Sequence, residues 1–217
     1  NAREAAKVAA LYGAGTAAKV IPQPGAGVGF LEGEMDLEVA GAKPDGMLQL
    51  RILRELSSLL EGKADSSIVM ELVLEGIYRG IGMDRTLFAL LTPDRSELRT
   101  KFMLGAKREQ LADHFHFRMA GATHVFGQVL EKQAALWVDA QIHPEQERLL
   151  PMEVVSVTGR IPFFVAPIVV NDRSIGLFYA DRGVTGRPLD EESYESFRHF
   201  AQQASLGLSH LAKRGRH

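Results

Sequence analysis

Residues 162–179 read PFFVAPIVVNDRSIGLFY, two apolar runs that are joined by the polar turn Asn171-Asp172-Arg173. Runs rich in β-branched and aromatic residues on either side of a short turn predict a β-hairpin. The runs are apolar enough for the hairpin to lie in the centre of a sheet. Pro167 predicts a bulge or a sheet edge inside the first run, since proline cannot donate a hydrogen bond to a neighbouring strand.

Two consecutive helices are predicted before the strands. Residues 47–60 carry two apolar sets, and because one stripe normally packs on the core, the second indicates another partner surface. The sets are Leu48, Ile52, Leu56 and Leu59, and Leu50, Leu53 and Leu60. Gly62 is expected to end this helix, and Asp65, Ser66 or Ser67 to cap the next. The buried face of the second helix is predicted to be Val69, Leu72, Val73, Ile77 and Ile81.

The last helix is predicted to follow Pro188-Leu189-Asp190, with acidic side chains near its positive end. Its apolar residues recur at three- and four-residue spacing, which predicts a single buried stripe. The stripe comprises Tyr194, Phe197, Ala201, Ala204, Leu208 and Leu211.

Shorter strands are predicted between these helices. Residues 85–92 and 97–104 flank a turn at 93–96, and the second of them alternates in polarity. Its predicted inner side is Leu98, Thr100, Phe102 and Leu104, opposite Arg99 and Lys101. Residues 114–119 alternate as well, with Phe115, Phe117 and Met119 opposite His114, His116 and Arg118. Thr123 is then expected to cap a short helix, followed by a strand at 136–138 and a broken helix at 145–157.

Composition excludes several classes of function. The chain has 217 residues and a formal net charge of −2, so no basic field points to nucleic acid. It has no cysteine, which excludes disulfides, thiolate metal sites and thiol catalysis. No apolar run reaches the roughly 18 residues that cross a bilayer. We therefore expect a cytoplasmic protein without a membrane partner.

The glycine and proline content divides the chain. Residues 1–46 are expected to be the end of an upstream domain, as an Ala-rich helix at 2–11, followed by a Gly/Pro-rich linker. The cluster at 25–29 is interpreted as linker and not as a phosphate loop, because neither a strand before it nor Gly-Lys-Ser/Thr after it is present. Residues 47–213 are expected to form one domain, and residues 214–217 a basic tail.

The order of elements over residues 47–213 resembles a GAF domain. The most specific pieces are the hairpin and residues 127–139, which read GQVLEKQAALWVD. The resemblance implies an α+β fold, with a central antiparallel sheet and helices on both faces. It places the first and last helices on one face, and a ligand pocket on the other, beneath the Thr123 helix and residues 141–157.

The sequence departs from three branches of the GAF family. Cyclic-nucleotide-binding GAF domains carry an Asn-Lys signature, but here asparagine occurs only at Asn1 and Asn171. Bilin-binding GAF domains and the GAF-fold methionine sulfoxide reductases use a cysteine that this chain lacks. The resemblance therefore leaves the ligand or cofactor unassigned.

Eight residues are candidates for lining the pocket that the resemblance implies. They are Phe102, Phe115, Phe117, Thr123, Phe126, Trp137, Asp139 and Phe164. Core packing is the alternative for each aromatic residue, and helix capping is the alternative to anion binding for Thr123. For Asp139 the alternative to ligand contact is a structural role, in which it binds loop amides.

No catalytic or metal site is predicted. His114 and His116 could chelate a metal, but they lie on the polar side of their segment, where a solvated surface explains them. Ser156, His143 and Asp139 lie near one another in sequence without a nucleophile elbow. An enzyme would need a nucleophile or metal site that the sequence does not reveal.

The expected function is non-catalytic regulation in a bacterial multidomain signalling protein. The domain would bind an unidentified small molecule, and would form a homodimer through the helices at 47–60 and 190–213. The upstream domain would be of the HDOD type, a relative of metal-dependent phosphohydrolases, or else a kinase or a cyclase. The alternative is a ligand-free dimerisation or protein-interaction scaffold with a degenerate pocket.

Overall fold

A computed structural model describes residues 43–61, 65–106 and 108–214. The predicted helix at 2–11, the linker as far as residue 42, the helix end at Gly62 and residues 215–217 of the tail lie outside the described residues. The first described helix begins at Gly46, one residue before the predicted start.

Within the described ranges the chain forms six α-helices and six strands. The helices are α1 (Gly46–Glu61), α2 (Ser66–Glu75), α3 (Arg108–His114), α4 (Val125–Lys132), α5 (Met152–Thr158) and α6 (Glu191–Arg214). The strands are β1 (Arg85–Leu91), β2 (Glu97–Gly105), β3 (His116–Arg118), β4 (Leu136–Val138), β5 (Phe163–Val170) and β6 (Arg173–Asp181). A π-helical turn, Gly76–Gly80, extends α2, and a 3₁₀ turn, Pro144–Leu149, precedes α5.

The six strands form one antiparallel sheet in the order β3-β2-β1-β6-β5-β4. The predicted hairpin is β5–β6, and it is confirmed. Its turn residues Asn171 and Asp172 have φ of 48° and 62°, the left-handed conformation that matches the twist of a two-residue hairpin turn. The α+β class, with a central antiparallel sheet and helices on both faces, is confirmed as well.

Pro167 lies at an unpaired edge of β5, as predicted. β4 pairs only with Phe163–Val165, so no strand pairs that edge at Pro167. Farther along, α6 covers the edge, because Ser205 Oγ accepts from Val169 N at 3.0 Å and Ser209 Oγ accepts from Asn171 N at 3.3 Å. Serines of the last helix thus satisfy backbone groups that a neighbouring strand would otherwise bind.

The sheet has two covered faces, which side-chain alternation along each strand separates. The face packed against α1, α2 and α6 is called the terminal-helix face, and Phe88 and Phe178 point to it. The face packed against α3, α4 and α5 is called the roof face, and Leu87 and Tyr179 point to it. The first and last helices therefore share a face, with α4 and α5 on the other, as the resemblance implied.

A bulge in β2 makes one part of the alternation prediction wrong. Phe88 pairs with Phe102, but Ala89 pairs with Thr100, so Lys101 is an extra residue in the strand. An inserted residue reverses the face to which all later side chains point. Leu98 therefore belongs to the roof-face core, whereas Phe102 packs on the terminal-helix face.

The stripe of α6 is buried within the domain. Phe197, Ala201, Ala204 and Leu208 all lie in the terminal-helix core. This stripe therefore packs inside the domain, so the predicted dimer contact would use the outer surface of α6. The inner set of α1 is buried in the same core, except for the half-buried Leu59.

The outer surface of the terminal helices keeps exposed apolar side chains. In α1, Met47 and Leu50 are 76% and 51% exposed, and in α6 Leu206 is 59% exposed. Leu53, from the second predicted set of α1, is instead half-buried against the core.

Candidate functional site

Aromatic side chains fill the centre of the roof face. The ring of Phe115 lies 4.9 Å from that of Phe126, 5.0 Å from that of Phe117 and 5.3 Å from that of Tyr179, between ring centroids. Phe163 packs on Tyr179 at 5.0 Å. All five rings are buried. The predicted candidates Phe115, Phe117 and Phe126 are therefore brought together on this face.

Three predicted candidates lie on the opposite face. Phe102 packs beside Phe88, at 5.2 Å between centroids, because of the bulge in β2. Trp137 and Phe164 are paired across β4 and β5, and their rings meet edge-to-face at 5.5 Å. Phe164 lies in the terminal-helix core, and the half-buried Trp137 packs against that core. The prediction of one pocket containing all eight residues is therefore wrong for Phe102, Trp137 and Phe164.

His124, and not Thr123, caps α4. The Nδ1 atom of His124 accepts from Gly127 N at 3.4 Å, whereas the Thr123 side chain is exposed. The imidazole packs on the rings of Phe117 and Phe126, at 5.6 and 5.7 Å. Burial lowers the pKa of His124, and the Arg118 backbone and Glu153 only partly oppose this shift.

Asp139 binds loop amides at the end of β4. Its Oδ1 accepts from Gln141 N at 3.0 Å and from Ile142 N at 3.3 Å. Its own N–H donates to Gln146 Oε1 at 2.8 Å. Asp139 therefore makes the contacts that its structural role predicts. They fix the start of the segment that crosses the roof face.

The histidines near α3 do not form a metal site. His114 ends α3 and His116 begins β3, so the predicted continuous strand at 114–119 is wrong at its start. Both side chains are exposed, and His116 Nε2 lies 3.3 Å from Glu97 Oε2. Over residues 43–61, 65–106 and 108–214, no group of three His, Cys, Asp or Glu side chains could hold a metal.

A buried ion pair occupies one end of the roof face. Arg85 Nε donates to both carboxylate oxygens of Asp181 at 3.0 Å, and Arg85 Nη2 lies 2.9 Å from Oδ1. Burial raises the pKa of Asp181, and Arg85 opposes that shift. The loop passes close to this pair, since a Cβ at Gly183 would meet Ile161 Cδ1 and would lie 2.8 Å from Arg85 Nη2.

Tyr179 presents an unpartnered hydroxyl beside this pair. The residue is 0% exposed, and its hydroxyl has no hydrogen-bond partner. Burial first, and then the charge of Asp181, raises the pKa of Tyr179 far above its ordinary value. Asp181 and Thr158 influence this pKa, but neither accepts or donates a bond in good geometry.

Two further polar atoms in the described part of the chain are buried without a partner. His124 Nε2 lies on the roof face, and Trp137 Nε1 lies in the half-buried edge strand β4 on the terminal-helix face. Buried polar groups are normally hydrogen-bonded, so each such atom calls for an explanation. Tyr179 is the most deeply buried of the three residues.

Residues 141–160 form the outer cover of the roof face and are called the lid. Pro151 and Val154 of the lid are buried, and Leu149, Leu150 and Val157 are half-buried against the roof-face core. Ile142 and Met152 are 67% and 68% exposed, although both are apolar. Because few of its side chains are fully buried, we expect the lid to open at a lower free energy than the sheet.

Arg182 forms a polar junction on the other side of the same strand end. Its Nε donates to Gly82 O at 3.1 Å and its Nη2 to Ile81 O at 3.0 Å. Nη2 also donates to Ser193 Oγ at 2.8 Å, and Nη1 to Asp190 Oδ2 at 3.2 Å. One buried guanidinium therefore joins the end of the π-helical turn to the start of α6.

The π-helical turn also contacts both terminal helices. Gly80 O accepts from Asp45 N at 2.8 Å and from Gln49 Nε2 at 2.9 Å, which ties the turn to the start of α1. A Cβ at Gly76 would lie 2.4 Å from the ring of Phe200 in α6. Single π-helical turns are rare in proteins, but those that occur often lie at functional sites. The contacts of this turn and of Arg182 are together called the terminal-helix junction.

A groove of about 330 Å³ lies between α1 and α6, next to this junction. It is lined by Gln49, Leu53, Glu195, Ser196, His199 and Phe200. None of the helices in the described part of the chain combines the length and apolar character that a membrane span requires.

Sequence reasoning missed Arg85, Asp181 and Tyr179 as site residues. Arg85 and Asp181 are 96 positions apart, and only the register of β1 against β6 brings them together. The signal that could have found them is the placement of charged residues at the ends of otherwise apolar strands, because a buried charge needs a partner.

Comparisons with known proteins agree with this architecture. The GAF domain family profile matches residues 65–208. A search of curated protein sequences finds no match. The phycoerythrobilin-bound GAF domain of a cyanobacterial phytochrome superposes with a TM-score of 0.58 at 15% identity, over 78% of this chain and 98% of that one.

Two further solved structures have similar folds. The GAF domain/HD domain protein of Geobacter sulfurreducens gives a TM-score of 0.57 at 17% identity, over 70% of this chain and 97% of that one. The GAF-B domain of DevS from Mycobacterium smegmatis gives 0.53 at 23% identity, over 70% and 98%. At these identities the superpositions bear on the fold alone, whereas the profile covers most of the chain. The chain therefore belongs to the GAF domain family, whose members are typically regulatory domains of signalling proteins.

Proposed function

We propose that this domain is a non-catalytic regulator in a cytoplasmic multidomain signal-transduction protein. It binds a small molecule on the roof face and passes the resulting change to neighbouring segments through α1 and α6. The single observation that carries this proposal is the terminal-helix junction. Through it, the two helices that begin and end the domain are bonded to the same short stretch of backbone.

The junction supports transmission because it adjoins both faces of the sheet. Asp181 points to the roof face, and Arg182, the next residue, bonds the start of α6. A shift of the β6 end that disturbs the Arg85–Asp181 pair would therefore also move the donors that hold α6. The same carbonyls lie next to Gly80, which holds the start of α1.

Homodimerisation through the terminal helices is part of the proposal. The exposed side chains Met47 and Leu50 of α1 support it, since apolar residues on a helix surface lose unfavourable contact with water when a second copy covers them. The upstream domain is proposed to be of the HDOD type, with a kinase or a cyclase as alternatives. The Geobacter sulfurreducens neighbour, a GAF domain/HD domain protein, supports a pairing of this kind.

A ligand-free scaffold is the second candidate function. The observation that favours it is that rings already occupy the centre of the roof face, with Phe115, Phe126 and Tyr179 all fully buried. A domain of this type would keep the dimer surface and would have lost the ligand.

Native mass spectrometry of freshly purified protein separates the two functions. The sensor predicts an additional mass of a small molecule that is lost when the protein is denatured. A spectrum that contains only the bare chain, from several expression hosts, would favour the scaffold.

Sedimentation of a Leu50→Glu variant tests the dimer. The proposal predicts that this charge, placed on α1, shifts the protein toward monomer. Ile142→Glu is the matched control, because Ile142 is at least as exposed but lies in the lid. A wild-type protein that stays monomeric at high concentration would contradict homodimerisation.

A further inference from the structure

We propose that residues 30–39 of this chain dock as an additional strand on the outer edge of β2, beside residues 101–105. This stretch precedes the first described residue, Lys43, and would bind its own domain. The docking is independent of the proposed sensory function, because it involves neither the roof-face cover nor a ligand.

The outer edge of β2 is longer than the strand that pairs with it. β3 pairs only with residues 97–99, and the Phe115 carbonyl then accepts from Thr100 N at 3.3 Å. No strand of the described residues lies beside 101–105, although these residues belong to β2. The edge of a sheet presents backbone donors and acceptors that a further strand can bind.

Apolar side chains lie along the same part of β2. Phe102 and Leu104 pack against the terminal-helix core but are only half-buried. Removal of their remaining apolar surface from water would stabilise a docked segment. Since both side chains point to the terminal-helix face, the segment has to present its apolar side chains on that side.

Residues 34–39 have the pattern that this edge requires. They read EMDLEV, a strict alternation of acidic and apolar residues. A period of two puts one type of residue on each side of a strand. Met35, Leu37 and Val39 therefore form an apolar side, which matches Phe102 and Leu104.

The acidic residues match the charge at this corner of the sheet. Arg99, Lys101 and Arg118 lie there with Glu97, so positive charge exceeds negative charge among these four residues. Burial first, and then the positive charge of Arg99, lowers the pKa of Lys101. Acidic residues beside Lys101 oppose both effects, because an opposite charge favours the ionised amine. Residues 32–38 carry four acidic side chains and no basic one.

The start of α1 lies close enough to β2 for residues 30–39 to reach it. Asp45 N donates to Gly80 O at 2.8 Å, and Gly80 is four positions before Asp84. Asp84 O in turn accepts from Ala106 N, directly after β2, at 3.2 Å. The start of α1 is therefore within about 25 Å of the end of β2, whereas residues 30–42 span up to roughly 43 Å.

Disulfide trapping in the full chain tests the docking, because the chain has no cysteine of its own. One cysteine replaces Lys101, and a second replaces each of residues 34–39 in turn. Glu131→Cys is the control anchor, since Glu131 is exposed in α4 on the roof face. We expect the best pair with Lys101→Cys to cross-link within one chain about tenfold more than any pair with Glu131→Cys, because only Cα atoms within about 7 Å are readily bridged.

Two outcomes of the trapping would overturn the inference. Equal yields with the two anchors would mean that residues 34–39 are not held at β2. Cross-links that form only between two chains would mean that the edge binds a second copy and not the segment of its own chain.

Hydrogen exchange adds a readout that needs no cysteine. With Met35→Asp and Leu37→Asp combined, the outward-pointing amides of residues 101–105 should exchange about fivefold faster than in the wild type, the factor that one hydrogen bond provides. Ala17→Asp combined with Ala18→Asp adds the same charge outside the segment and should leave this exchange unchanged. Exchange at 101–105 that is the same in all three proteins would also overturn the proposed strand.

Discussion

The two faces of the sheet are both covered by apolar side chains, but the covers differ in kind. The terminal-helix face is closed by long helices, and α6 alone runs from Glu191 to Arg214. The roof face is closed by helices of seven or eight residues and by the lid. Long helices bury a continuous stripe, whereas short ones leave more of the cover to irregular backbone.

Polar side chains add to the attachment of the terminal helices. At the terminal-helix face, Ser205, Ser209 and Arg182 bind backbone groups of the sheet and its loops. Buried donors without a partner occur on both faces, at Tyr179 and His124 on the roof face and at Trp137 Nε1 on the terminal-helix face. The terminal-helix face is therefore distinguished by long helices whose side chains bind the sheet backbone, whereas the roof face lies under a thinner cover.

Removal of the buried carboxylate at the roof face should have the largest effect on stability. Asp181→Ala leaves Arg85 buried without its partner, which is expected to cost about 3–5 kcal/mol in the free energy of unfolding. Urea unfolding measures this cost. Glu147→Ala, which breaks an exposed pair with Arg160, is the control and should change little. Equal effects of the two variants would mean that the buried pair does not hold this end of the sheet.

Crowding of the terminal-helix face should have the next largest effect. Gly76→Ala places a Cβ 2.4 Å from the ring of Phe200, and overpacking of this kind costs about 1–3 kcal/mol. Thermal or urea unfolding measures it. Gly46→Ala is the control, because a Cβ at Gly46 meets nothing within 4 Å. If Gly76→Ala were as stable as the wild type, this face would be more adaptable than the structure indicates.

The smallest predicted effect is a pH dependence at the roof face. Burial depresses the pKa of His124 in the folded protein, so the unfolded chain binds the proton more readily. Stability is therefore full above the ordinary histidine pKa of about 6.5 and is lost as the pH falls from there through the depressed folded value. His124→Asn, which keeps a capping side chain, should flatten this slope in urea unfolding between pH 7 and pH 5. An unchanged slope would contradict the assignment to His124.

Apolar periodicity, which is local information, predicts the hairpin and the terminal helices, whereas the shared face of α1 and α6 was implied by the resemblance to GAF domains. The sequence could not predict the bulge at Lys101, since the alternation of apolar and polar residues in 97–104 shows no break at the inserted residue. That insertion sends Phe102 to the other face. Thr123 and His124 are adjacent, and both can cap a helix, so only the structure distinguishes them.

The roof-face polar groups were beyond prediction for a different reason. Arg85 meets Asp181 through the pairing of β1 with β6, which is a long-range contact. Whether the hydroxyl of Tyr179 finds a partner depends on the positions of Thr158 and Asp181 in three dimensions. The class of the fold thus follows from the order of elements and its resemblance to a known family, whereas contacts between distant residues do not.

The central claim is that the roof face opens locally, whereas the terminal-helix face opens only when the domain unfolds. Hydrogen exchange of the native chain, with and without Gly76→Ala, tests it most directly. The account predicts that amides of the lid exchange fast and at the same rate in both proteins. It predicts that amides of α6 and β5 exchange slowly in the wild type and faster in the variant, in proportion to the lost free energy of unfolding. Lid amides that are as well protected as those of α6, and that accelerate equally with the substitution, would contradict it.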